Sequence, residues 1–298
     1  MKFRAMTLQT IVAVGAFTGL ATAGETSVPP TISVGSTAGI AIGASPPPGL
    51  YFALINSFIE SEAYNDQTKL PIKKNVFVTT TQLQWVTDYK ILGGTYKAMA
   101  TLPWAYQDVT SYGLRRETYG NGDLTLTPVS LSWMLQPGIF VSGGLSFTLP
   151  TGSFSTKSNH VNSGSNAFAT TTSAGFSYLR NGWNLSADFN YVFHTTNSDT
   201  NYRSGDEFVS NWTAMKDFGS FSFGPIGYWR KQVQDDVNNG TFYRGVASGR
   251  AQQVGLGVGF SKQFGKVTAG LNFSHDIFRE NTLSGGSISL SLRAPISF

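Results

Sequence analysis

The last stretch of the chain sets the tightest limit on what it can fold into. Ile288, Leu290, Leu292, Ala294, Ile296 and Phe298 alternate with Ser287, Ser289, Ser291, Arg293, Pro295 and Ser297. Successive side chains of an extended strand point to opposite faces, so this segment has one wholly apolar face and one small or polar face. A helix would scatter both classes around its axis. The pattern recurs upstream. Trp183, Leu185, Ala187, Phe189, Tyr191 and Phe193 share one parity, as do Val254, Leu256, Val258 and Phe260, then Val267, Ala269, Leu271 and Phe273. Ile139, Val141, Leu145, Phe147 and Leu149 form another such set.

A chain of alternating strands must hide its apolar faces, either in a dry core or in lipid. Strands of about ten residues or more suit a tilted membrane crossing better than the ~5–6 residues of a globular strand. Aromatic residues also gather at strand ends (Trp85, Tyr89, Trp104, Trp133, Trp183, Phe193 and Trp229), where interfacial girdles lie in membrane barrels. Composition agrees: 13% of residues are charged and 33 are glycine, against about 25% charged in soluble domains. No stretch beyond the N-terminus is long and apolar enough for a transmembrane helix.

The N-terminus is read as an export signal. Lys2 and Arg4 precede an apolar run, and Ala21-Thr22-Ala23 offers small residues for cleavage before Gly24. The run Ile11–Ala23 is 13 residues, short of the about 20 that a membrane helix needs. Without Lys2 and Arg4 there remain 19 basic and 17 acidic residues, unclustered, so the pI of 9.2 does not indicate nucleic-acid binding. The chain has no cysteine, which excludes disulfides and thiolate metal sites.

Turn signals divide the remainder into strands near 50–60, 74–86, 89–102, 122–134, 138–150, 166–180, 183–194, 207–217, 219–230, 251–263, 266–276 and 287–298. Tight turns are expected at Thr87-Asp88, Gln136-Pro137, Asn181-Gly182, Phe218-Gly219 and Phe264-Gly265. Long loops are expected around 61–73, 103–121, 151–165, 195–206, 231–250 and 277–286. The expectation is therefore an all-β fold: a transmembrane antiparallel up-and-down β-barrel of about 12 strands, with short periplasmic turns and long extracellular loops. Residues 1–23 form the signal peptide and 49–298 the barrel. Residues 24–48, with prolines at Pro29-Pro30 and Pro46-Pro47-Pro48, are a periplasmic leader or a plug folded into the lumen.

Four motifs, in order, carry a family resemblance: Pro46-Pro47-Pro48-Gly49-Leu50-Tyr51 followed by Tyr64-Asn65-Asp66; Gly120-Asn121-Gly122-Asp123-Leu124 with Pro128, Leu131 and Trp133; Leu149-Pro150-Thr151-Gly152-Ser153-Phe154; and Thr200-Asn201-Tyr202-Arg203-Ser204-Gly205-Asp206-Glu207. From about 46 onward the chain resembles the outer-membrane transporters associated with the meta-cleavage pathway of phenol degradation, a group that includes the sphingosine-induced outer-membrane proteins. The resemblance implies a barrel for uptake of hydrophobic or aromatic compounds in the outer membrane of a Gram-negative bacterium. The leader departs from the family pattern in being richer in Ile, Val and Ser.

The motif residues also have physical readings. Pro48 and Gly49 mark the entrance to the first strand, and Gly122 and Asp123 a turn where a loop re-enters the sheet. Pro128 cannot donate to the strand ladder, and the shift of apolar parity from Leu124 and Leu126 to Val129, Leu131 and Trp133 fits a bulge of one inserted residue. Pro150 and Gly152 read as a rim turn, with Gly205 in the last motif. Tyr202, Arg203, Asp206 and Glu207, with Arg230, Asp188 and Arg293, are the candidate substrate or gate residues; the same loop charges also read as a solvated, salt-bridged surface. Asp235, Asp236, Arg230 and Lys231 form a second mixed cluster, suited to lipopolysaccharide-bridging cations or to folding a loop inward. Phe298 is read as the assembly signal recognised by the barrel assembly machinery.

Enzymatic chemistry has little to stand on. His160, His194 and His275 are the only histidines, and Ser274 and His275, adjacent in a strand, face opposite ways. No metal site or cofactor is expected; the glycines of Gly255-Leu256-Gly257-Val258-Gly259 follow strand alternation rather than a nucleotide loop. The expected function is a channel or transporter for small hydrophobic or aromatic solutes, not an enzyme, with outer-membrane lipid and lipopolysaccharide as its surroundings. The alternative is a structural or adhesive barrel whose loops bind surfaces. Bulges at Pro128 and Pro225 are the candidate places for a lateral exit into the membrane.

Overall fold

The computed structural model describes residues 24, 25, 28–157, 160–243, 247 and 249–296. The signal peptide expected at 1–23 and the terminal Phe298 lie outside the described residues. Fifteen strands occur among them: β1 (Gly49–Asn65), β2 (Thr68–Ile91), β3 (Gly94–Ser111), β4 (Leu114–Asn121), β5 (Leu124–Gln136), β6 (Ile139–Leu149), β7 (Ala169–Arg180), β8 (Trp183–His194), β9 (Tyr202–Arg203), β10 (Glu207–Asp217), β11 (Ser222–Gln232), β12 (Val237–Asn238), β13 (Gln252–Phe264), β14 (Val267–Glu280) and β15 (Leu283–Ile296).

Thirteen of them form one antiparallel sheet that closes into a barrel of twelve wall positions, β4 and β5 sharing one. Neighbours in sequence pair all the way round, and β1 joins β15 from Leu50↔Ile296 to Ala63↔Leu283. Closure removes every edge, which matters because an unpaired backbone amide has no partner in hydrocarbon. The strand beside β3 is split. β4 pairs with Trp104–Ser111 and β5 with Thr95–Thr101, and the break falls at Gly122-Asp123. The short strands β9 and β12 pair with each other in the loops.

Polarity gives the barrel its inside and outside. Phe58, Phe77 and Leu290 are each nearly half exposed, although they are large and apolar. Their strand neighbours Ser57, Val78 and Ser289 line the lumen. An exposed apolar belt of this extent would be an aggregation surface in water and is a fitted surface in lipid. The belt also has an upper limit. On β1 the outward series runs Leu50, Phe52, Leu54 and Phe58, then turns to Glu60 and Glu62, which pair with Lys73 and Lys69 of β2. Leu50 to Phe58 is about 26 Å of strand at about 3.3 Å per residue, or roughly 20 Å of height once tilted. On β3 and β4 the changeover is marked by Trp104 stacked on Tyr119 (6.2 Å between ring centroids), with Arg115 bridging Asp108 and Glu117 above them. Charge returns to the outer face where the strands leave the membrane.

Twelve wall strands match the twelve expected, and β8 and β10 have the expected bounds. The loops differ. Around 61–73, 103–121 and 277–286 the chain continues as paired strand and reverses at Asp66-Gln67, Tyr112-Gly113 and Asn281-Thr282, with positive φ at Asp66, Tyr112, Gly113 and Asn281. These segments are polar enough to resemble loops because both faces of a hairpin beyond the membrane meet water. The turn expected at Thr87-Asp88 lies five residues later at Leu92-Gly93 (φ 50° and 78°). The register slips between Val86 and Lys90, and Thr87 Oγ1 donates to the Tyr96 carbonyl at 3.0 Å, so the polar pair forms a bulge inside the strand. At Asn181-Gly182 both residues have positive φ (53° and 73°), the geometry that closes a two-residue hairpin.

The lipid-facing belt makes a prediction. Leu290→Arg, in mid-belt, should cost about 2–4 kcal/mol in equilibrium unfolding from lipid vesicles, and Phe218→Arg, at a turn, about 0–1 kcal/mol. Equal costs at both positions would contradict the assigned belt. The folded barrel should also migrate faster than the boiled chain on a denaturing gel.

Candidate functional site

The lumen is the one large cavity described, about 1720 Å³, well beyond the ~300–1,000 Å³ of ordinary ligand pockets. Its wall has two different sides. Strands β1, β2 and β3 turn Ile55, Ile59, Val76, Val78, Met99 and Val109 inward. Strands β5 to β15 turn in hydroxyls, amides and charges, such as Thr127, Ser173, Asn190, Asn272 and Ser289. Ser57, Lys74, Thr80, Gln82, Lys97 and Thr101 are interspersed among the apolar residues of β1 to β3, so this side is richer in apolar groups than the rest of the wall without being wholly apolar. This bias was not anticipated from sequence. The signal was present as a loss of alternation: residues 50–55, 58–59 and 76–78 are apolar in both parities, as strands facing lipid outside and a partly apolar space inside would be.

The segment 24–48 runs down the polar side. Its backbone and small side chains meet inward-facing groups in order along the barrel: Thr31 Oγ1 with His194 Nε2 (3.0 Å), Gly35 N with Asn211 Oδ1 (2.7 Å), Thr37 Oγ1 with Asp188 Oδ2 (3.0 Å), Gly39 N with Thr213 Oγ1 (2.8 Å) and Gly43 N with Ser177 Oγ (2.9 Å). Its carbonyls are also taken up, Ala38 O by Asn272 Nδ2 and Gly43 O by Ser132 Oγ. Ala38 packs with Met215 and Ile226 in a small buried cluster. The segment has turns but no strand. Turn bonds such as Ser36 N to Ser33 O and Ala38 N to Gly35 O satisfy part of its backbone, and the polar wall supplies partners for other amides and carbonyls. Pro29, Pro30, Ile32, Val34, Ile40 and Ile42 are thus among the residues that line the remaining space.

At the loop end, Glu25 is buried and bound by Asn197 Nδ2, Thr200 Oγ1 and Tyr243 OH at 2.7–3.1 Å. Burial pushes its carboxyl above the usual carboxylate range, against the opposing pull of those hydrogen bonds. The loops at 195–206 and 233–243 meet at this end, tied by the β9–β12 pair.

The structure divides the sequence-selected residues into groups. Tyr202 is buried and donates to Asp236 Oδ2 at 2.6 Å. Arg203 donates to the His194 carbonyl and to Asp206 Oδ1, and Gly205 N donates to Asp236 Oδ1. Glu207 and Arg230 form a buried two-pronged ion pair, with Nε to Oε2 at 3.1 Å. Asp188 is committed to Thr37, Asn190 and the Asn211 amide. Arg293 is the outlier: it lines the lumen near the tight-turn end, with Ser291 Oγ at 3.0 Å. Asp235 and Asp236, adjacent in sequence, part company. Asp235 is exposed and pairs with Arg250, whose guanidinium holds its carboxyl below the usual range, whereas Asp236 turns inward.

The motif residues brace one another. Asp123 accepts from Gly152 N (2.8 Å), Ser165 N (2.7 Å) and Ser165 Oγ (2.6 Å), holding the inward loop 151–165 against Gly122. Gly152 and Gly164 cross so closely that a side chain on either would lie 2.5 Å from the other's Cα. Pro150 stands where β6 ends, and Pro48-Gly49 where the segment 24–48 enters β1, with Tyr51 OH on the Pro47 carbonyl. Pro128 lies at a register shift between Leu126 and Val129, and its carbonyl accepts from Tyr96 OH at 2.7 Å. Pro225 differs from expectation: it pairs in unbroken register with Val258 and makes no bulge. A proline needs no extra residue where only its missing donor interrupts the ladder. Among the described residues no group of His, Asp or Glu is placed to hold a metal ion.

Removing one partner of a buried ion pair leaves a stranded charge. Arg230→Met should therefore cost about 3–5 kcal/mol in urea unfolding, and adding Glu207→Leu should restore most of that. A double variant as unstable as the single one would mean that the pair is not buried.

The fold and the lumen can now be compared with known proteins. The chain superimposes on the crystal structure of the COG4313 outer membrane channel from Pseudomonas putida F1 with a TM-score of 0.76 at 17% identity, covering 89% of this chain and 100% of that one. The translocator domain of the autotransporter NalP from Neisseria meningitidis aligns at a TM-score of 0.49 and 9% identity, over 85% of this chain and 91% of that one. A deletion mutant of the TodX monoaromatic hydrocarbon channel gives 0.45 at 10% identity, over 85% and 91%. No curated relative matches by sequence. The fold is that of an outer-membrane β-barrel, and a family model matches residues 61–292. By that match the chain belongs to the family described as "Putative MetA-pathway of phenol degradation".

Proposed function

We propose that the protein is an outer-membrane channel for passive uptake of small hydrophobic or aromatic compounds, that it is not an enzyme, and that residues 24–48 act as a lumen plug. One observation carries the reading: Val109, Val76, Ile59, Ile55 and Met99, with Thr80, Gln82 and Thr101 between them, line the lumen on β1–β3 and make it the more apolar side of the wall. A channel for hydrophilic solutes gains nothing from such a side. A greasy solute crossing a polar lumen would instead have to give up about 25 cal/mol for every Å² of apolar surface returned to water. The plug occupies the polar side and leaves the more apolar side open. Lys74, Lys97 and Arg293 offer hydrogen-bond donors for the polar end of such a solute.

The channel resembles in fold an outer membrane channel of Pseudomonas putida F1, and family membership links it to aromatic degradation. The bulge at Pro128 interrupts the ladder between β3 and β5, making that seam the candidate lateral exit. Phe298 would serve as the assembly signal, and Lys69, Lys73 and Arg115, above the lipid belt, suit contact with lipopolysaccharide phosphates.

Uptake of labelled aromatic and long-chain compounds should fall in a deletion strain and return on complementation; equal uptake of every compound in both strains would refute the reading. Ile55→Asp should lower uptake severalfold while leaving the amount of folded barrel unchanged. In planar bilayers, deletion of residues 25–44 should raise conductance severalfold, and an unchanged conductance would remove the plug.

A further inference from the structure

The carboxylate of Asp236 has an unusual set of partners. It is buried, 7% exposed. Oδ2 accepts from Gly24 N at 2.8 Å and Tyr202 OH at 2.6 Å, and Oδ1 accepts from Gly205 N at 2.7 Å and Gln232 Nε2 at 2.8 Å. None of these donors is a charged side chain. Among the described residues no lysine or arginine forms an ion pair with it; Arg230 is committed to Glu207, Arg203 to Asp206 and Arg250 to Asp235. Arg230 is near enough to act electrostatically on Asp236 but spends its guanidinium on Glu207, so among the described residues the buried carboxylate has no cationic partner of its own, as such burial ordinarily requires.

The missing charge can come from the chain itself. The sequence places the signal-peptidase cut between Ala23 and Gly24. Hydrolysis adds the hydroxyl of water to the Ala23 carbonyl and a proton to the Gly24 nitrogen. The resulting α-amine, with an ordinary pKa of about 7.7–8.0, is largely an ammonium at neutral pH. The nitrogen that gains the charge is the one already 2.8 Å from Asp236. A cut one residue later would put the charge on Glu25 N, which meets the neutral Ser204 Oγ. Glu25 does not compete for it, since its carboxylate is engaged by Asn197, Thr200 and Tyr243.

We propose that Asp236, with Tyr202, Gly205 and Gln232, is a receptor site for the α-ammonium of the processed chain, and that this ion pair latches the outer end of the lumen segment to the loops only after cleavage at Gly24. The proposal rests on the plug reading for its consequence, but not for its chemistry. It gives Tyr202 and Gly205 a positioning role: they orient the carboxylate rather than touch a solute.

The test uses protein purified from outer membranes. Its first residue should be Gly24 by terminal sequencing. With an acylating reagent selective for α-amines at neutral pH, the native barrel should react at least tenfold more slowly than the heat-unfolded chain. Asp236→Asn should lose that protection and show frequent opening events in planar bilayers, whereas Asp235→Asn, at the exposed neighbour, should behave as wild type. Should Asp236→Asn fail to assemble, one alanine inserted between Ala23 and Gly24 serves instead. It moves the ammonium by about 3.8 Å and should also abolish protection. A different N-terminus, an amine equally reactive in native and unfolded protein, or full protection in Asp236→Asn would each overturn the latch. Protection combined with unchanged conductance on deleting 25–44 would keep the latch and remove the plug reading; an unprotected amine with raised conductance would do the reverse.

Discussion

In hydrocarbon a backbone amide or carbonyl without a partner costs several kcal/mol, and a sheet can meet that demand only by closing on itself. The long pairing of β1 with β15 is where this chain does so. Once the sheet is closed, the two faces of every strand acquire opposite duties, and each local feature follows from them: apolar residues outward over the height of the bilayer, charge outward above it, and whatever the function needs inward. The split strand at β4 and β5 shows how strictly closure is kept. β3 is longer than either neighbour, and the two share its length so that no stretch is left bare.

The interior obeys the same demand differently. Residues 28–48 make turns but no strand, and their turn bonds satisfy only part of their backbone. Lumen side chains of β7, β10 and β14 take up further amides and carbonyls through Ser177, Asn211, Thr213 and Asn272, and Asp188 of β8 holds the Thr37 hydroxyl. This explains why the barrel's inner wall is uneven. A polar half is required to hold the segment, and the more apolar half on β1, β2 and β3 is what remains for a solute. Asp188 illustrates the division, since a carboxylate that reads as a substrate contact in sequence is spent on the Thr37 hydroxyl, the Asn190 side chain and Asn211 N.

The loop end has its own logic. Asp123 gathers the amides of one inward loop, and Asp236 those of Gly205 and Gly24. In both cases a single carboxylate accepts several donors, which fixes a loop without needing a hydrophobic core. Asp123 and Asp236 therefore act as clamps, joining loop segments that are distant in sequence and adjacent at the barrel rim.

Alternation, strand length and the placing of aromatics together made the barrel and its number of wall strands legible, because side-chain direction in a strand is a local property with a period of two. Turn chemistry is equally local, and it marked Asn181-Gly182, where both residues take positive φ. What lay beyond reach needed partners far away in sequence. The stretches 61–73 and 277–286 become strand because distant edges pair with them, 61–63 with 283–285, 72–73 with 110–111 and 278–280 with 252–254, and nothing in a polar hairpin distinguishes it locally from a loop. Thr87-Asp88 reads as a turn until Tyr96 stands opposite it. The course of residues 24–48, the more apolar side of the wall and the inward turn of Asp236 beside an outward Asp235 were decided by tertiary structure, since each depends on which side chains the closed wall brings to the same height.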